Sequence, residues 1–180
     1  MSIFEGVDTA ALRLSSNYIG EGHFVLRIDA VKTGTSRKKA AFVAIESTVL
    51  SNFDEGDDAQ HKVGDNVTHM LMVQQDMFLS SFKTFICKSM GVEPDEVTAE
   101  ACEQSCNTDP EKGTVQPMSG LLVEVVCKDI VTKKGNDFTT VNYKGPVDAK
   151  RVAALMSERD IIKVFPNNEL QQLVELEEAV

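Results

Sequence analysis

The chain has no tryptophan, two tyrosines, four cysteines and five prolines among its 180 residues. No apolar run approaches the roughly 20 residues of a membrane-spanning helix, which excludes a chain that crosses a bilayer by helices. The opening stretch MSIFEGVDTAALRLSS has no basic region followed by an apolar block. A cytoplasmic protein with reduced thiols is therefore expected. Cations are scarce: 18 Lys and Arg stand against 28 Asp and Glu, a net charge of −10. That balance excludes a uniformly basic nucleic-acid binder. It leaves room for local basic loops, because binding follows the local field and not the sum.

Motifs of catalysis are missing too. The chain has no Walker A sequence, GxGxxG, HExxH or GxSxG, so no catalytic residue, cofactor or enzymatic activity is expected. Cys102 and Cys106 share a helical spacing but lack the second close pair of a zinc site, with His61 and His69 distant in sequence. The acids Asp54, Glu55, Asp57 and Asp58 lack the alternation and distal Glu of a calcium loop. Ordinary thiols, a solvated loop and no bound metal are the readings.

Apolar residues make up 42 % of the chain, enough for a packed core. In HFVLRIDAVKT, from His23, Phe24, Leu26, Ile28 and Ala30 alternate with Val25, Arg27, Asp29 and Val31, the period of a strand. AAFVAIESTVL (40–50) sets Val43, Ile45 and Val49 against Phe42, Ala44 and Glu46. The polar turn GTSRKK joins the two as an antiparallel hairpin. VTHMLMV (67–73) is a third strand. Phe78, Phe82, Phe85 and Ile86 then fall on one helical stripe that ends at Gly91. EPDEVTAEACEQSC (93–106) reads as a short acidic helix. GLLVEVVCKDI (120–130) and FTTVNY (138–143) form a second hairpin around TKKGND. Helices are expected at 147–160 and over ELQQLVELEEAV (169–180).

Five strands with a helix between the third and fourth is the order of an OB-fold, a five-stranded antiparallel Greek-key barrel. The expected organisation is an N-terminal arm (1–19), a mainly β, α+β OB-like domain (20–146) and a helical acidic C-terminal extension (147–180). In such a barrel the turn between strands 1 and 2 and the turn between strands 4 and 5 flank one ligand face. Arg37, Lys38 and Lys39 occupy the first, and Lys133 and Lys134 the second. Cations so placed track a phosphate backbone. Arg27, Phe42, Phe138 and Tyr143 are the candidates to contact or stack on bases, with His69 a further planar group. Phe138 and Tyr143 lie on opposite faces of their strand, so at most one of them joins Phe42. Lys32 and Lys144 extend the cationic track.

Residues 20–145 resemble small phage-encoded single-stranded-DNA-binding proteins with an OB-fold, and related phage proteins of the same layout. The resemblance is carried by GEGHFVLRIDAVK, SRKKAAFVAIESTVL, VTHMLMV, FLSSFKTFICKSMGV and GLLVEVVCKDIVTKKGNDFTTVNY. It implies a non-enzymatic role in phage DNA replication, recombination or repair. It also implies sequence-independent cover of exposed strands and an acidic tail that recruits replication or recombination proteins. The sequence is compatible with a homo-oligomer. The chain departs from that pattern in lacking tryptophan and in its short leucine-containing tail. The alternative expectation is a phage structural or protein-interaction module built on the same barrel.

Overall fold

A computed structural model describes residues 17–54, 60–106 and 116–180. The arm up to residue 16, the acids at 55, 57 and 58, and residues 107–115 lie outside the described residues. The strands are β1 (Gly22–Thr35), β2 (Ala41–Asn52), β3 (Asn66–Met72), β4 (Leu122–Val131) and β5 (Asp137–Pro146). Between β3 and β4 stand α1 (Phe78–Met90), a single 3-10 turn at Pro94–Glu96 and α2 (Ala99–Ser105). The single acidic helix expected at 93–106 is thus two pieces, each with its own cap: Glu93 begins the turn and the Thr98 hydroxyl accepts from Ala101 N–H. The C-terminal region forms α3 (Ala149–Leu155), α4 (Glu158–Val164) and α5 (Glu169–Glu178). The helix expected at 147–160 breaks at Met156–Ser157, because the Ser157 side chain caps α4 by accepting from Asp160 N–H. None of the described helices is long and apolar enough to cross a membrane.

All neighbouring strands are antiparallel, in the order β3-β2-β1-β4-β5. The protein is therefore α+β, with an open five-stranded sheet that curls like a barrel. The edge strands β3 and β5 share no hydrogen-bond ladder. They meet through side chains: His69 Nδ1 and the Tyr143 hydroxyl share a hydrogen bond of 2.9 Å.

Alternation along β1 sends Phe24, Leu26 and Ile28 inward and Val25 and Arg27 outward. Ile28 pairs with Ser47 and Ala30 with Glu46, which leaves Asp29 as a bulge. The extra residue returns Val31 to the interior beside Phe24, Leu26 and Ile28. Simple alternation placed Val31 on the opposite face; the bulge is the reason it is not there. The interior is completed by Val43, Ile45 and Val49 of β2, Val123, Val125 and Cys127 of β4, and the α1 stripe. Phe82 and Phe85 plug the barrel end, with the Phe85 ring 4.9 Å from that of Tyr143. Burying each such ring stabilises the fold by about 1.5–3 kcal/mol.

A second core lies on the outer side of the sheet. Val25, Leu50 and Leu122 are covered there by Val152, Met156, Val164, Phe165 and Leu170 of the C-terminal helices. The first half of β1 is consequently buried on both faces, which explains its near-continuous apolar sequence.

Burial keeps His69 neutral, with its pKa lowered to about 4. An unfolded histidine titrates near 6.5, so between those values the unfolded chain binds more protons than the native one. The His69 contribution is complete above pH 6.5 and is lost as pH falls toward 4, by about 3 kcal/mol in all. Urea unfolding from pH 7 to pH 4 should show this fall, and His69→Gln should flatten it. Equal slopes for the two proteins would show that His69 is not the titrating group. Burial lowers His61 as well, so a residual slope of the same sign is expected in the variant.

Candidate nucleic-acid interface

The two basic hairpin turns are built alike, bond for bond. In the first, Ser36 N–H donates to the Ala40 carbonyl, Lys39 N–H to the Ser36 carbonyl, and Ala40 N–H to Ser36 Oγ. In the second, Thr132 N–H donates to the Asn136 carbonyl, Gly135 N–H to the Thr132 carbonyl, and Asn136 N–H to Thr132 Oγ1. A hydroxyl residue thus opens each turn and two cations occupy its tip. The fourth residue takes the left-handed conformation that closes it. In the second turn that residue is Gly135, at φ 78°; in the first it is Lys39, at φ 59°. A side chain there costs about 1–2 kcal/mol that glycine does not. Arg37, Lys38, Lys39, Lys133 and Lys134 are all exposed. Among the described residues none of the five pairs with a carboxylate.

Phe42 lies on the outer face next to the first turn. Its ring rests on the backbone of Gly34, where an added Cβ would stand 2.6 Å from Cζ. A side chain at that point would push the ring aside. Phe42 pairs with Met72 of β3. Met72 and Met70 line a cleft of about 270 Å³ whose other wall is Phe138, Thr139 and Val141 of β5. The second basic turn immediately precedes that wall. A surface therefore runs from Arg37–Lys39 over Phe42 and Met72 to Phe138 and then Lys133–Lys134. Lys32 is on the same face, held at 2.7 Å by Glu46.

Three of the sequence candidates are placed otherwise. Arg27 points outward but is committed to structure. Its Nε donates to Asp29 at 2.8 Å, Nη1 to the Val164 carbonyl at the end of α4 at 3.0 Å, and Nη2 to Thr48 Oγ1. Its guanidinium also lies 5.1 Å over the Phe165 ring. Tyr143 is 6 % exposed and faces the interior, bonded to His69 and packed on Phe85. It cannot stack on a base there, and His69 is turned inward with it. Lys144 sits at the far end of β5, beside the C-terminus of α1 with Lys88 and Glu93. It is about 20 Å of strand away from Phe138.

The structure adds Tyr18. Asn17–Ile19 runs parallel to β3, with Ile19 N–H donating to the Thr68 carbonyl and Thr68 N–H to the Asn17 carbonyl. Gly20 N–H donates to His61 Nε2 at 2.9 Å, which fixes where the segment ends. Tyr18 is 58 % exposed and Phe138 48 %, and both line the cleft. The tyrosine stands in a stretch without period, so its only sequence signal was its residue type.

Elsewhere, Cys102 and Cys106 lie along an apolar groove of about 810 Å³ with Val43, Phe78 and Phe82. Burial pushes both thiols up from their ordinary value. No protein-family model matches the chain, and no curated protein matches it.

Lys39→Gly should raise stability by about 0.5–1 kcal/mol, the left-handed strain relieved less the extra freedom of glycine in the unfolded chain. Lys39→Ala should not. Urea midpoints of the two variants decide the matter; an equal gain in both would remove the strain argument.

Proposed function

We propose that this protein binds single-stranded DNA without enzymatic action, as a phage replication, recombination or repair protein of the host cytoplasm. The observation that carries the reading is the pair of like-built cationic turns at the two ends of a surface bearing Phe42 and Phe138. Phosphates are held by Arg37, Lys38, Lys39, Lys133 and Lys134, and bases stack on the rings between them. The strand order supports an OB-type barrel. β1 pairs with both β2 and β4, α1 follows β3, and the edge strands meet at His69 and Tyr143. The resemblance to phage single-strand binders supports the biological setting.

Lys32 is a secondary contact, released from Glu46 when phosphate competes. Arg27, Tyr143 and Lys144 are not part of this surface. Docking of replication or recombination proteins through the acidic tail is supported by α5, where Leu176 stays 64 % exposed beside Glu175 and Glu178.

Titration of a fluorescent oligo(dT) and a duplex of equal length at two salt concentrations tests the proposal. The single strand should bind tighter, and its log affinity should fall with log salt at about −0.7 per phosphate contact. Replacing Arg37, Lys38 and Lys39 together by Ala should weaken binding and reduce that slope by about 2. An unchanged slope would remove the first turn from the interface. No binding at low salt would favour the structural-module reading.

A further inference from the structure

The cleft between β3 and β5 exposes strand edges, and the antiparallel alternation says which groups face it. On β3, Val73 N–H donates to the Ala41 carbonyl on the β2 side. Residues 71 and 69 point the same way, so 72, 70 and 68 direct their peptide groups toward β5. Thr68 confirms the alternation, since its N–H and carbonyl bind Asn17 and Ile19 on that side. On β5, the pairing of Thr132 with Asn136 leaves residues 137, 139 and 141 turned toward β3 by the same rule. No ladder joins the two edges.

The free stretch is short. Thr68 is taken by the Asn17–Ile19 segment, and the Met72 carbonyl accepts Gln75 N–H. Among the described residues, Met70 is the β3 residue left with both peptide groups open to the cleft. A peptide strand that adds to a sheet edge needs a run of such residues. A single free residue on β3, facing the edge at 137, 139 and 141, suits a flat ring with a few donors and acceptors on its rim. The two exposed aromatics at the cleft, Tyr18 and Phe138, suit the faces of such a ring. Asp137 lines the same cleft and accepts hydrogen bonds.

We infer that this cleft takes one nucleobase of the bound strand and favours a base with an exocyclic amino group over thymine. The inference rests on the single-strand reading above and adds a base preference to an otherwise sequence-independent surface. The base stacks on Tyr18 and Phe138, presents its amino group to the Asp137 carboxylate and meets the peptide edges of Met70 and Thr139. Thymine has no amino donor for the carboxylate.

Oligo(dC) and oligo(dT) of equal length, titrated at pH 7.5 and low salt against the full chain, test this. Oligo(dC) should bind about 5-fold or more tighter. Asp137→Ala, at an exposed position, should bring the ratio to one while oligo(dT) binding persists. Tyr18→Ala should weaken both and also bring the ratio toward one. Equal affinities for the two oligomers in the unaltered protein, with salt-sensitive binding intact, overturn the base cleft and leave the single-strand reading standing. A preference for oligo(dC) that survives both substitutions overturns it as well. Binding of neither oligomer at low salt overturns the single-strand reading, and the cleft assignment with it.

Discussion

The first half of β1 has apolar side chains on both faces, and the position of every open surface follows from that. Phe24, Leu26 and Ile28 fill the barrel, while Val25 projects the other way and needs cover of its own. The C-terminal helices supply it, and Arg27 fastens them. One guanidinium bonds Asp29 and Thr48 on the sheet, the last carbonyl of α4, and the face of Phe165. The carbonyl at a helix C-terminus carries partial negative charge, so a cation there stabilises α4 as well as the contact. With the lower outer face occupied, the upper part of β1–β2–β3 and the β3–β5 seam stay open on that side of the sheet.

That seam is a compromise between closure and access. Continuous β3–β5 hydrogen bonding would satisfy both edges and remove the cleft. Complete separation would expose two strand edges to pairing with other chains. The His69–Tyr143 bond holds the edges together from within, and Asn17–Ile19 covers the start of β3 from without. Among the described residues, what stays open is about one residue of β3, bordered by aromatic rings.

The strands were legible because their period is 2, and the α1 stripe because its period is helical. So was the assignment of Phe138 and Tyr143 to opposite faces. What alternation leaves undetermined is which face looks inward, since that depends on the partner strand and on bulges such as Asp29. Arg27 looks like a ligand contact in the sequence because its partners are remote: Val164 is 137 residues further along the chain. Tyr18 is not legible as a site residue for the same reason, its place being set by Thr68 and His61. The basic turns were visible as composition. Their identical hydrogen bonding, and the strained backbone of Lys39, belong to the folded chain alone.

Net acidity takes a different meaning from this arrangement. A free acidic tail would compete with any polyanion for the basic turns. Here α5 is docked: both oxygens of Glu177 accept from Ala149 N–H, at 2.8 and 2.9 Å, and Glu178 lies 3.5 Å from Lys150. Leu170 is buried in the outer core beneath it. These acids serve the C-terminal layer, on the part of the sheet that Arg27 pins. Attraction between the tail and the basic turns would have to exceed the sum of those contacts before α5 could reach them. At moderate salt, exposed charges more than about 10 Å apart are largely screened. The five turn cations therefore act through their local field, and a chain of net charge −10 keeps a cationic surface without internal competition from its own C-terminus.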